Sequence, residues 1–220
     1  MTRFGRLLPA VLFLLCTAAP AAPAAPAVFD HPVTPAQLRV IIAPAERALS
    51  QSPVLRGRFV QVKTLQGIPA PLKSSGDYLI ARTQGIYWHT LLPFDSEFIL
   101  TPTHMLQMDN GKIAVRIDAA TQPGLRIVGE VFFSIFNLDP TALASHFSLY
   151  GMPAAKGWVM GLRPRDDALS SVVDSAVIGG DRHVGTVDLL DAHGDRTEIR
   201  LTDAAGSPAL TPREAALFRQ

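Results

Sequence analysis

Thiol chemistry is almost missing from this 220-residue sequence: Cys16 is the single cysteine, and it lies in an amino-terminal segment expected to be removed. The remainder has no disulfide, no thiolate nucleophile and no cysteine metal ligand. An excess of charge is lacking too, since 20 Lys and Arg stand against 19 Asp and Glu. Such a balance gives no electrostatic footprint for nucleic acid and no polybasic tract for an anionic lipid surface. The sequence also lacks a Gly-x-Ser-x-Gly elbow, a Gly-rich phosphate loop and a His-Glu-x-x-His pair. No catalytic residue is therefore assigned, and neither a metal nor a cofactor is expected. His183, Asp191, His193 and Asp195 gather near one expected hairpin, where such residues read as solvated turn formers before metal ligands. His89 neighbours Trp88, so strand alternation points the two to opposite faces. His146 falls near the end of an expected helix, a position that favours positive charge. A secreted hydrolase stays as a runner-up.

The amino terminus is the first informative presence. Arg3 and Arg6 precede an apolar stretch from Leu7 to Ala19, interrupted by Pro9 and Thr17, and small residues then run through Ala27. Basic, apolar and small residues in that order are the layout of a cleaved secretory signal peptide, whose apolar core is too short to span a bilayer. Ala19-Pro20-Ala21 and Ala25-Pro26-Ala27 both fit small-x-small cleavage. The expected organisation is a signal peptide over 1–27 and a single domain over 28–220, placed in the periplasm. Leu15 stands where an acylated cysteine needs a small residue, so Cys16 is not expected to carry lipid. No later apolar run is long enough to cross a membrane.

Local patterning indicates a mainly β, α+β domain. Thr34-Pro35-Ala36-Gln37 is a capping box with proline at the first helical position. Leu38, Ile41, Ile42, Ala45 and Leu49 follow on one face of the helix, with Pro44 predicting a kink. Asp139-Pro140 predicts a second helix through about Phe147, and Thr211-Pro212-Arg213-Glu214 a short terminal one. Period-two runs predict strands over 54–64, 76–82, 86–91, 96–101, 104–109 and 112–118, the last two joined at Asn110-Gly111. Further strands are predicted near 157–163, 170–178, 184–190 and 196–202. Ten antiparallel strands suggest one large, strongly curved sheet, because flat sheets of that width usually curl.

The stretch 124–137 stands apart. Leu125, Val128, Phe132, Ile135 and Phe136 share one helical face, and Ile127, Val131 and Phe133 widen the apolar surface beyond a stripe. Such a helix either plugs the sheet as a core element or covers an apolar cavity as a lid. The sequence pattern supports both.

Three passages carry a family resemblance. Gly57-Arg58-Phe59-Val60-Gln61 is followed by Gly76-Asp77-Tyr78-Leu79-Ile80-Ala81-Arg82. Then Tyr87-Trp88 leads to Pro93 and the run Phe98-Ile99-Leu100. In this order, behind a signal peptide, they resemble the periplasmic outer-membrane lipoprotein carriers, the LolA-like family, and this chain is similar to its divergent members. The resemblance is closest over 34–118. It implies an incomplete antiparallel β-barrel closed by lid helices, and a cavity that holds acyl chains in transit between the inner and outer membranes. It implies a cavity wall of Phe59, Tyr78, Ile80, Ile86, Trp88, Phe98 and Leu100, facing lid residues Leu125, Val128, Val131, Phe132, Ile135 and Phe136. Arg82 matches the strand arginine that binds lid backbone and holds the closed state, whereas read without the resemblance it is an exposed strand-end arginine. The implied partners are the acyl chains of a lipoprotein or another membrane lipid, an inner-membrane donor complex and an outer-membrane acceptor, with the protein acting as a monomer. The carboxyl end departs from the family pattern in closing on the apolar run Ala215-Ala216-Leu217-Phe218. A non-catalytic lipid-sensing or protein-binding scaffold of the same fold is the alternative.

Overall fold

The computed structural model describes residues 26–220, without the side chains of 123–128. The expected signal peptide, with Cys16, lies outside these residues apart from its last two positions, as do the side chains of the lid candidates Leu125 and Val128. Eleven strands form one antiparallel sheet: β1 (Val54–Thr64), β2 (Leu72–Ala81), β3 (Gly85–Leu92), β4 (Ser96–Leu100), β5 (His104–Asp109), β6 (Lys112–Asp118), β7 (Phe147–Pro153), β8 (Trp158–Pro164), β9 (Val173–Gly180), β10 (Val184–Asp191) and β11 (Arg196–Ser207). Their order is β6-β5-β4-β3-β2-β1-β11-β10-β9-β8-β7. Two meanders thus meet where the first strand pairs with the last, and β6 and β7 are left as opposite, unjoined edges. The sheet is an open half-barrel.

That order decides where the helices go. The chain leaves one edge at Asp118 and must cross the whole sheet to begin the other at Phe147. The crossing carries α2 (Pro123–Phe136) and α3 (Pro140–Ala144). Ahead of the sheet, α1 (Pro35–Gln51) starts on the expected capping box: the Thr34 hydroxyl accepts from the Gln37 N–H, and the Gln37 side chain accepts from the Thr34 N–H. Its buried face is Leu38, Ile42, Ala45, Ala48 and Leu49, and the helix continues through Pro44, which sits on the exposed side. It packs on β7 and α3. Gly151 of β7 permits this approach, because a Cβ there would lie 2.9 Å from Leu38 Cδ1.

Two apolar layers flank the sheet. On the concave side, Phe59, Tyr78, Ile80, Ile86 and Leu100 join Leu38, Ile42, Leu143, Phe147, Met160, Leu162 and Ile178 in one core. Burying each large apolar side chain contributes about 1.5–3 kcal/mol. On the convex side a smaller cluster of Val54, Leu79, Ala81, Ile99 and Leu106 is covered by Phe218, just after α5 (Pro212–Leu217). Arg56 of β1 fixes α5 by a two-pronged pair with Glu214, one prong at 2.7 Å. Glu214 is also the fourth residue of the Thr211 capping box. Its carboxyl is held down to about 2, first by the Arg56 hydrogen bond and then, against the effect of burial, by the Thr211 N–H and hydroxyl. No helix among the described residues is long and apolar enough to cross a membrane.

Three local expectations are corrected. The second helix stops at Ala144 instead of reaching Phe147, because Phe147 and Leu149 alternate into the core as the start of β7. β9 begins at Val173, since Asp166 caps a helical turn over Asp167–Ser170 by accepting the Leu169 N–H. β11 runs on to Ser207, with a register shift opposite Gly57 and a positive φ of 54° at Asp203.

Candidate functional site

Side chains from nine elements converge on a cavity of about 310 Å³ between the sheet and α2. Alternation along β3 sends Ile86 and Trp88 inward and Tyr87 and His89 outward, and Phe98 extends the wall onto β4. Leu162 of β8, Ala176 of β9, Val187 and Leu189 of β10, and Ile199 and Leu201 of β11 supply the opposite wall. Residues on β4 and β8 are separated by six intervening strands in the sheet order, so their meeting on one cavity requires strong curvature. Val131, Phe132, Ile135 and Phe136 of α2 form the remaining side. Gln61 and Thr197 are the polar side chains of the lining, and no charged group borders it. Its volume is at the lower end of ligand pockets, about 300–1,000 Å³.

The expected wall residues divide. Ile86, Trp88 and Phe98 line the cavity, whereas Phe59, Tyr78 and Leu100 lie beneath it in the buried core. Ile80 borders a separate narrow throat at the cavity's end. The Tyr78 ring lies across Gly57, where a Cβ would stand 2.5 Å from the tyrosine oxygen. That hydroxyl is buried with no hydrogen-bond partner among the described residues, and burial followed by Asp203 pushes it up to about 12. The wall contributed by β8–β11 was missed from the sequence. Its signal was present in the alternating pairs Val187/Leu189 and Ile199/Leu201.

The throat encloses only about 10 Å³. Phe136 and Leu201 belong to both throat and cavity, and Leu49, Ile80, Arg82, Leu138, Arg182 and His183 are among its other walls. Beyond it an open polar hollow of about 380 Å³ is bordered by Arg39, Glu46, Arg82, Asn137, Leu138 and Asp139. Arg82 therefore sits at the carboxyl end of α2. The contact with the helix end is made by its carbonyl, which accepts from the Asn137 side-chain amide at 3.3 Å. Its guanidinium makes no hydrogen bond or ion pair among the described residues. Leu138, next along, is buried yet holds a positive φ of 51°, a region costing a non-glycine residue about 1–2 kcal/mol.

The other side of α2 borders a second void. A groove of about 450 Å³ lies between Gly129, Glu130, Phe133 and Ser134 on one side and Thr101, Pro102, Ser145 and His146 on the other. His146 Nε2 stands 3.5 Å from Glu130 across it. Among elements, α2 packs chiefly on α3. Val131, Phe133, Ile135 and Phe136 of α2 are half-buried against the concave core.

The titratable clusters have local explanations. Asp191 accepts the N–H groups of His193 and Asp195, at 2.8 and 2.9 Å, so these residues build the hairpin turn. His183 lies away from them in the throat, with Nδ1 buried and unpartnered; burial, then Arg182, lowers its pKa. His89, Asp95 and Glu97 meet on the convex face, the imidazole 3.3 Å from Asp95.

Neither the known protein families nor the curated proteins contain a match to this sequence. Among solved structures the chain is similar to a LolA superfamily protein from Nitrosomonas europaea, at TM-score 0.45 and 8% identity over 82% of this chain and 96% of that one. It is similar also to an outer membrane lipoprotein-sorting protein domain from Vibrio parahaemolyticus, described as putative, at TM-score 0.40 and 10% identity over 83% and 100%. A third is LprF from Mycobacterium bovis, at TM-score 0.38 and 13% identity over 83% and 98%. The first of these bears the name of the family that the sequence motifs resemble. At such scores the likeness carries no functional weight; the trough does.

Proposed function

We propose that this chain is a non-enzymatic periplasmic carrier that shelters the acyl chains of a lipoprotein or another lipid beneath α2. It moves them between an inner-membrane donor and an outer-membrane acceptor, as a single domain over 28–220 freed from a signal peptide over 1–27. The observation that carries this reading is the trough: a cavity of about 310 Å³ with two polar side chains in its lining and no charge. Burying a methylene there gains about 0.8 kcal/mol, so a chain of ordinary length supplies enough free energy to displace a helix. In this reading α2 is the lid, because voids border it on two faces. Leu125 and Val128 are assigned to the lid on their sequence spacing alone, and α3 carries the helix as a hinge-side neighbour.

The test is to purify the protein from its own periplasm under non-denaturing conditions, record native mass spectra and extract whatever is bound. A stoichiometric acyl lipid is the expected result. Protein that arrives empty, and that fails to bind a fluorescent fatty-acyl probe, overturns the proposal.

A further inference from the structure

We infer that the cargo carries an anionic head group, held by Arg82 and Arg182 at the throat while its acyl chain lies in the trough. This rests on the carrier reading and names the chemical class of its lipid. Throat and trough are contiguous, because Phe136 and Leu201 line both. Throat and outer hollow are contiguous in turn through Arg82, Asn137 and Leu138. One line therefore runs from an uncharged apolar cavity, past two guanidiniums, into an open polar hollow.

Charge along that line is one-sided. No carboxylate borders the throat. Arg82 and Arg182 are both exposed at its edge, and neither makes a hydrogen bond or ion pair among the described residues. The acids of the hollow are already engaged: Glu46 pairs with Arg39 at 3.4 Å, and Asp139 accepts the N–H groups of Thr141 and Ala142. Asp181, beside Arg182, is the nearest acid in sequence and faces His183 as well. Two unpaired guanidiniums thus border one opening, where a phosphate or carboxylate gains paired N–H···O⁻ bonds. The buried, unpartnered Nδ1 of His183 adds a polar contact at the same place.

Position selects a lipid anion over a free one. A free phosphate gains only the arginines, whereas a lipid also fills the trough behind Phe136. The throat is closed at about 10 Å³, so such a lipid must shift the Phe136–Leu138 segment and part Asn137 from the Arg82 carbonyl. Head-group recognition and movement of α2 are thereby one event.

Equilibrium binding to the full mature chain tests this with three probes: a lysophosphatidic acid, the monoacylglycerol of the same chain length, and inorganic phosphate. The wild-type protein is expected to prefer the phosphorylated lipid by about tenfold or more, with the preference shrinking at high salt. Free phosphate at the same concentration should not bind. In Arg82→Gln/Arg182→Gln the ratio of the two lipid affinities should collapse toward one, and Arg82→Lys/Arg182→Lys should restore part of it. Circular dichroism establishes that each variant is folded, and either single Gln variant serves if the double one is not. Equal binding of the two lipids by wild type overturns the inference and leaves the carrier reading standing. So does a preference that survives in the folded Gln variants, or phosphate binding as tightly as the phosphorylated lipid. Failure of both lipids to bind overturns the carrier reading and this inference together.

Discussion

Phe59 and Trp88 stack with ring centroids 4.0 Å apart and planes 29° from parallel, joining β1 to β3 across β2. Phe59 is the buried partner and Trp88 the one that reaches the cavity. A single pair thus links the buried core to the wall of the proposed lipid cavity, and it gives the cavity an optical reporter.

The other tryptophan, Trp158, is 1% exposed with its indole N–H donated to the Asp181 carbonyl at 3.0 Å, and it does not line the cavity. A brominated acyl chain is therefore expected to quench Trp88 and spare Trp158. Titration of Trp88→Phe protein should show little quenching while a dansyl acyl probe still binds. Trp88→Glu, which places a charge in an uncharged lining, should weaken the probe at least about tenfold.

The Asn137 amide on the Arg82 carbonyl is a neutral hydrogen bond, worth about 0.5–1.5 kcal/mol net. Asn137→Ala should shift α2 toward the displaced state and raise acyl-probe association about threefold to tenfold in stopped flow. Arg82→Leu keeps the carbonyl, so with an uncharged acyl probe it should leave that association rate near the wild-type value. A faster rate in Arg82→Leu and none in Asn137→Ala would return the latch to the guanidinium.

Acid should loosen α5 before it melts the sheet. Glu214 titrates at about 2 when folded against an ordinary value of 4.5. Its contribution is therefore complete above that ordinary value and is lost as pH falls toward 2. Glu214→Gln should lower stability by about 1 kcal/mol at pH 7, with the difference from wild type narrowing below pH 4.5 and closing near 2. Urea unfolding across that range measures it.

Much of the strand set was legible because alternation is strict where one face is dry, as at Ile86 and Trp88, and because Asn110-Gly111 encodes its turn outright. β7 was hidden: Phe147-Ser148-Leu149-Tyr150-Gly151 is short, and an adjoining helix cap absorbed its first residue. The cavity was half legible. Its β3 and β4 wall lay in the motif-bearing segment, while Val187, Leu189, Ile199 and Leu201 join it only through pairing of β1 with β11, a relationship no local pattern contains. The roles of the two parts of Arg82 were likewise invisible, since they depend on where a helix more than fifty residues later comes to rest.

That pairing also sets the order in which the molecule is able to assemble. β1 aligns Val54 with Ser207 and Thr64 with Arg196, so the middle of the sheet joins the two most distant strands of the chain. Each meander zips locally and early, but closing the seam between them carries the full loop-closure cost and comes late. Until β11 is made, β1 presents a bare edge of backbone donors and acceptors, of the kind that templates association between chains. A chain stopped before Arg196 is left with two half-sheets, an unpaired seam between them and no trough.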